Sequence, residues 1–336
     1  LCPDLYDREG SPYGDATGRD WADNHIRFGR LGLAAADLAG FGESGWRPDI
    51  LHLNDWPAGL ASAYLSWRGL KTPSILTIHN LAYQGLFERD CMHALGVPEA
   101  AFQIEGVEFY GKLSFLKAGI VYSSHVTTVS ATYAREITTP ELGCGLDGLL
   151  RLRAEQGRLD GILNGIDESW DPATDRHLAE PFSPEDTAGK QANAEDVRRA
   201  FQLGVSRGPL FAVVSRLVHQ KGVDLAIAAA ETIVAHGGQL VVTGRGEARF
   251  EEALTALARR HPGQVGVKIG FDETQARRMY AGSDFLLMPS RFEPCGLSQM
   301  YAQRFGSLPI AHRTGGLADT IEDGVTGLLF GEMNVS

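Results

Sequence analysis

Positive charge is scarce in this chain. Its 336 residues carry 31 Lys and Arg against 42 Asp and Glu, a net charge of −11. That balance argues against nucleic acid or an anionic membrane as the main partner, and any anionic ligand must be held by locally placed cations. Cysteine is equally sparse. Cys2, Cys91, Cys144 and Cys295 lie far apart with no C-x-x-C pair, which speaks against a disulfide framework or zinc site and fits a reducing, cytoplasmic compartment. No apolar stretch approaches the roughly 20 residues needed to cross a bilayer. The greasiest segment, "LGLAAADLAGF" (31–41), contains Asp37 and reads as a packed helix. The full G-x-G-x-x-G fingerprint is absent, "GRGE" (244–247) being too little, so a nicotinamide oxidoreductase is disfavoured. No metal-ligand constellation and no Ser/His/Asp set is visible, so neither metal nor cofactor is expected. The chain opens on Leu1 without a signal-like core and stops just past the apolar "GLLF", so a fragment missing both ends of a longer protein is expected.

Hydrophobic patterning is plentiful. Apolar content is 43%, and β-rich runs alternate with amphipathic stretches, the signature of parallel α/β architecture. Strands are expected at "DILHL" (49–53), "SILTI" (74–78), "HVTTVS" (125–130), "GILNGI" (161–166), "LFAVVS" (210–215), "QLVVT" (239–243), "VGVKIG" (265–270), "DFLLM" (284–288) and "LPIAH" (308–312). Helices are expected between them, as at 222–237 and 248–260. The polar stretch 170–196 reads as a long connection followed by a helix ending near Leu203. The expected organisation is two doubly wound domains facing each other across a cleft, residues 1–205 and 206–336.

Unusual residues gather just after these strands: Asp55 and Trp56, His79, Asn164, Arg216 and Lys221, Phe271, and Glu293. Open α/β sheets bind ligands at that edge. In "PSRFEPCGLSQMY" (289–301), Pro294 suits a first helical position, so Cys295, Gly296, Leu297 and Ser298 would offer unpaired amides to an anion such as a diphosphate. Glu293 would repel a phosphate placed on it and is better aimed at a sugar hydroxyl. An acid near a helix start is by itself favourable by roughly 0.3–1 kcal/mol and needs no function. Arg216 and Lys221, five apart in the loop "SRLVHQKG", shift the balance toward a site that neutralises a diphosphate. A lone histidine such as His79 is more often structural than catalytic, Asp55-Trp56 reads also as a cap and a core aromatic, and "LNGID" as a plain turn.

Taken together, "RPDILHLNDWPAGL", "TIHNLAYQGLF", "SFLKAGIVYSSHVTTVSATYAREI", "GILNGID", "PLFAVVSRLVHQKG", "PSRFEPCGLSQMYAQRFGSLPIAHRTGGLADT" and "DGVTGLLF" resemble the bacterial glycogen synthases and plant starch synthases, in family order. The resemblance implies a GT-B fold of two Rossmann-like domains. It also implies transfer of glucose from ADP-glucose to the non-reducing end of an α-1,4-glucan, with retention of configuration. By motif, Arg216 and Lys221 would hold the donor diphosphate and Glu293 would sit beside the glucose. The amides of Cys295 to Ser298 would bind glucose hydroxyls or the distal phosphate. His79 would lie by the anomeric carbon, Asp55 and Asn164 would contact glucosyl hydroxyls, and Tyr13 and Trp56 would line the acceptor groove. Phe271 falls where the family often has a tyrosine packing on adenine, Ser298 replaces a frequent threonine, and Asn54 stands where the bacterial enzymes often have histidine. The family's Lys-x-Gly-Gly loop would lie before Leu1.

Retention ordinarily suggests a covalent carboxylate adduct. Glu293 is the strong candidate, yet its expected place beside phosphate-binding amides suits hydroxyl binding better than attack, so front-face transfer is expected. The rivals are a retaining transferase using another nucleotide sugar and a glucan-binding protein without activity.

Overall fold

The structure, a computed structural model, describes residues 2–333 and divides after Ile162 into two compact units. In chain order the first unit carries β1 (Leu51–Asn54), β2 (Ser74–Ile78), β3 (Leu86–Phe87), β4 (Glu108–Phe109), β5 (Lys112–Ser114), β6 (His125–Thr128) and β7 (Leu159–Gly161). Four of these form a parallel sheet in the order β1-β2-β6-β7, while β3, β5 and β4 make a small antiparallel one. In β2 the alternate residues Ser74, Leu76 and Ile78 are buried, with Leu76 opposite Leu53 and Val126. Helices Asn24–Phe41, Leu60–Trp67 and Phe115–Tyr122 pack together around Phe28, Leu60, Tyr64 and Phe115. A second cluster of Leu76, Ile78, Ile120 and Val126 fills the space beside the sheet.

The second unit holds β8 (Leu210–Val214), β9 (Gln239–Gly244), β10 (Val265–Ile269), β11 (Phe285–Met288), β12 (Leu308–His312) and β13 (Leu328–Phe330), ordered β10-β9-β8-β11-β12-β13, all parallel. The chain winds outward from β8 to β10, then returns to β11 on β8's other side. The order therefore reverses between β8 and β11, where such sheets open a crevice at their carboxyl ends. Apolar clusters cover both faces of this sheet.

Three expectations differ from the structure. The boundary expected near 205 falls instead after Ile162, because the polar connection is fastened to the second unit. There Trp170 stacks on Tyr301 with ring centroids 3.6 Å apart, and the Arg277 guanidinium lies 3.8 Å from the Trp170 ring centroid. Arg277 also pairs with buried Asp175 at 2.8 Å. Phe182, Val197 and Phe201 then enter the second core. The strand expected over 161–166 is β7, ending at Gly161; residues 162–166 have no regular structure. Finally, Pro294 does not begin a helix. Gly296 has φ +72°, which breaks any helix there, and the helix runs Ser298–Arg304.

Candidate active site

The loops that leave β8 and β11 side by side are fastened to each other. Arg291 grips Asp224 through two hydrogen bonds of 2.9 and 2.7 Å and donates to the His219 carbonyl at 2.8 Å. The guanidinium holds the Asp224 carboxyl below the usual carboxylate range. The Arg291 amide donates to the Gln220 carbonyl, and Gln220 Nε2 donates to the Phe292 carbonyl. Gly222, with φ +65°, passes so close that a Cβ would lie 1.9 Å from the Pro289 oxygen. Only glycine fits that crossing.

This fastening brings the two motifs into one site. Lys221 Nζ lies 2.5 Å from Glu293 Oε2, with side-chain exposures of 16% and 6%. Buried Ser290 donates to the same oxygen at 3.1 Å, and its carbonyl lies 2.9 Å from His312 Nδ1. The sequence reading set the cations on phosphate and the acid on sugar as separate tasks; in the structure Lys221 joins them.

Arg216, Lys221, Phe271, Leu297 and Ser298 line a single cavity of about 440 Å³ together with Trp170, Tyr280 and Tyr301. That is room enough for a small ligand. Phe271 follows β10 and is 76% exposed, an unusual state for a phenyl ring and one that leaves its face available for stacking. Arg216 Nη2 is 3.3 Å from Gln220 Oε1. The Tyr280 hydroxyl is hydrogen-bonded to the Ser298 side chain, and burial pushes its pKa up, so it stays a neutral phenol. Cys295 is buried, its thiol pKa also raised by burial, with the Asn164 backbone amide in hydrogen-bond reach of the sulfur. Asn164 thus sits against the same loop. A second cavity of about 330 Å³, between helix Val223–Ala235 and the sheet, is lined by Phe211, Ile233, Ile310 and Phe330 among other apolar residues. It carries no ionisable group.

The first unit has its own cluster at the carboxyl ends of β1 and β2. Asp55 adopts φ +53°, in the left-handed region, a strained state for a side-chain-bearing residue. Its Oδ1 accepts from the amides of His79 at 2.8 Å and Asn80 at 3.4 Å. Burial raises the Asp55 pKa, with those two amide bonds opposing it. The strained turn therefore fixes the backbone at His79. His79 Nε2 lies 2.9 Å from Asn54 Oδ1, an oxygen that only accepts, which puts the ring proton on Nε2. Trp56 is packed edge-on to Phe28 at 4.7 Å and reaches half-exposed Tyr13 at 5.9 Å. It serves the core as well as the surface.

Residues that the sequence reading missed are Trp170, Tyr280 and Tyr301 on the cavity wall and Ser290 behind Glu293. Tyr301 lies three residues beyond Ser298 on one helix, a spacing that puts both on one face. Trp170, a lone indole in a polar stretch, was also a readable signal. Ser290 had none. Among the described residues no group of three or more His, Cys, Asp or Glu could hold a metal ion, and no helix is long and apolar enough to cross a membrane.

Two doubly wound parallel units, with basic side chains and loop amides at the second sheet's switch point, define the architecture of a GT-B glycosyltransferase. The catalytic domain of starch synthase IV from Arabidopsis thaliana, solved bound to ADP and acarbose, superposes with a TM-score of 0.87 and 33% identity, over 97% of this chain and 69% of that one. Sucrose-phosphate synthase from Thermosynechococcus elongatus shares the fold, with a TM-score of 0.59 and 18% identity over 96% of this chain and 71% of that one. Residues 1–152 match the sequence model of the starch synthase catalytic domain, and residues 197–336 that of glycosyl transferases group 1. The chain is 67% identical to the glycogen synthase of Pseudomonas putida, over 100% of this chain and 65% of the relative. It is 64% identical to glycogen synthase 1 of Bradyrhizobium diazoefficiens, over 98% and 72%. The chain belongs to the glycogen synthase and starch synthase family, and it spans about two thirds of the length of these relatives.

Proposed function

We propose that the protein is a glycogen synthase, transferring glucose from ADP-glucose to the non-reducing end of an α-1,4-glucan with retention of configuration, without metal or cofactor, in the cytoplasm. The observation that carries this reading is the shared cavity. Arg216, Lys221, Leu297 and Ser298 line it together, and Phe271 lies exposed at the same place. Two cations beside outward loop amides suit a diphosphate, and an exposed phenyl ring suits a base.

In this reading Arg216 and Lys221 neutralise the charge that grows on departing ADP, so they act more strongly in the transition state than on bound donor. Glu293, paired to Lys221 and Ser290, accepts from a glucose hydroxyl and is held too tightly for nucleophilic attack, which supports front-face transfer. Lys221 then links sugar recognition to leaving-group stabilisation. His79, its backbone fixed by Asp55, faces the anomeric centre, Asp55 and Asn164 contact glucosyl hydroxyls, and Tyr13 with Trp56 forms the acceptor surface of the first unit.

An ADP-release assay on the complete protein, with glycogen as acceptor and ADP-glucose or UDP-glucose as donor, tests the proposal. Release from ADP-glucose is expected. Turnover of UDP-glucose alone would point to another transferase, and glucan binding without release to a silent homologue; either result refutes it.

A further inference from the structure

Gln299 touches nothing in the cavity, yet it governs the loop that does. Its side chain is fully buried, 0% exposed. Gln299 Nε2 lies 3.0 Å from the carbonyl oxygens of Cys295 and Gly296, and 3.0 Å from Thr320 Oγ1. Its two hydrogens are thus spent largely on backbone carbonyls of the loop.

Every peptide bond here is trans, so a carbonyl drawn into the protein turns the next residue's N–H the other way. The Cys295 carbonyl shares its peptide plane with the Gly296 amide, and the Gly296 carbonyl with the Leu297 amide. Holding both oxygens inward therefore aims two successive N–H groups outward. The Glu293 carbonyl is drawn in likewise, by the Gly316 amide at 3.0 Å. Among the described residues the amides of Gly296, Leu297 and Ser298 meet no protein acceptor, and Leu297 and Ser298 line the cavity with Arg216 and Lys221.

Gln299 Oε1 is buried without a hydrogen-bond partner. A Cβ on residue 296 would sit 2.4 Å from it, so the glycine and the glutamine are fitted to each other. A buried amide oxygen left unpaired is a cost to stability. An apolar side chain of the same length would avoid that cost, so the amide's use here is its donor end.

We infer that Gln299 is a positioning residue: it orients the Gly296 and Leu297 amides as a paired donor for the distal phosphate of a nucleoside diphosphate. The inference rests on the donor reading proposed above and adds the residue that builds the phosphate seat. It separates Gln299 from a plain packing role, because only the distal phosphate should feel its loss.

Calorimetric titration of the complete protein with ADP and with AMP, which lacks that phosphate, makes the test. Losing the alignment of two charge-assisted hydrogen bonds should weaken ADP binding by about tenfold or more. In Gln299→Met, ADP should weaken by that factor while AMP stays within about twofold of wild type. Phe271→Ala, by contrast, should weaken both nucleotides alike. If Gln299→Met does not fold, Gln299→Glu keeps the shape while its carboxylate repels the two carbonyls, and the same selective loss is expected. Equal loss for ADP and AMP, or no change in either, overturns the positioning role while the donor reading stands. Wild-type protein that binds neither nucleotide overturns both.

Discussion

Removing Lys221 should produce a defect that a second substitution repairs for stability but not for turnover. The lysine and Glu293 are 2.5 Å apart and largely shielded from water. Lys221→Met would leave a carboxylate whose side chain is 6% exposed with the Ser290 hydroxyl as its remaining partner. Breaking a buried pair from one side costs about 3–5 kcal/mol, and the residual hydroxyl argues for the lower end. For a domain of about 150–250 residues that corresponds to a fall in Tm of roughly 6–12 °C. The double variant Lys221→Met/Glu293→Gln leaves no uncompensated charge and should unfold within about 1 kcal/mol of wild type. Under the proposed function its turnover should not recover, because the departing diphosphate would still lack its cation, an effect of about 10²–10³ in kcat. Thermal melts and ADP-release rates on the complete protein measure the two quantities side by side. A double variant as unstable as Lys221→Met would refute the pairing argument. Recovery of turnover in the double variant would refute the leaving-group role.

Other outcomes follow from groups further out. Arg277→Leu leaves Asp175 buried without its cation, with the His177 amide as a remaining partner, and should cost about 3 kcal/mol in chemical denaturation, whereas Arg278→Leu, at a more exposed pair, should cost under about 1 kcal/mol. Lys190 donates to the carbonyls of Ala281, Ser283 and Phe305, and burial pulls its pKa from 10.5 down to about 8. Its folded pKa lies below its unfolded one, so its contribution is complete above about 10.5 and is lost as pH falls through about 8. The stability of wild type relative to Lys190→Met should accordingly grow between about pH 8 and 10.5, by up to about 3 kcal/mol; a flat difference contradicts this. Asp55→Asn tolerates the left-handed turn and still accepts from the His79 amide, while Asp55→Ala does neither and should lose about 2 kcal/mol more in a thermal melt.

Most of the fold was readable because parallel strands buried on both faces leave continuous apolar runs. β2 and β12 fall on the residues expected, and the ends of β8 to β11 shift by no more than one residue. The strand ends in turn placed Arg216, Lys221, Phe271 and Glu293 at the carboxyl edge of the second sheet, and the structure gathers the first three with Leu297 and Ser298 around one cavity. The missing parts are tertiary choices. The connection before helix Ala188–Ala200 is polar and without strand pattern, and nothing local reveals that Trp170 is clasped between Arg277 and Tyr301. Pro294 is a sound helix starter by local preference, but Gly296, whose backbone the Gln299 side chain secures, inserts a left-handed turn first. The Lys221–Glu293 pair spans 72 positions, a distance that no periodicity reports.

The clasp between the segments after β8 and β11 bears on how this protein can be re-engineered. Arg291 with Asp224, Gln220 with Phe292, and Gly222 against Pro289 are matched pieces of one part. Grafting residues 289–297 from a relative with a different sugar preference would import half of a lock. Chimeras that exchange 215–224 and 289–299 together should keep their shape, and those that exchange either alone should not. Variation in donor choice across such proteins is then expected to travel as a paired cassette.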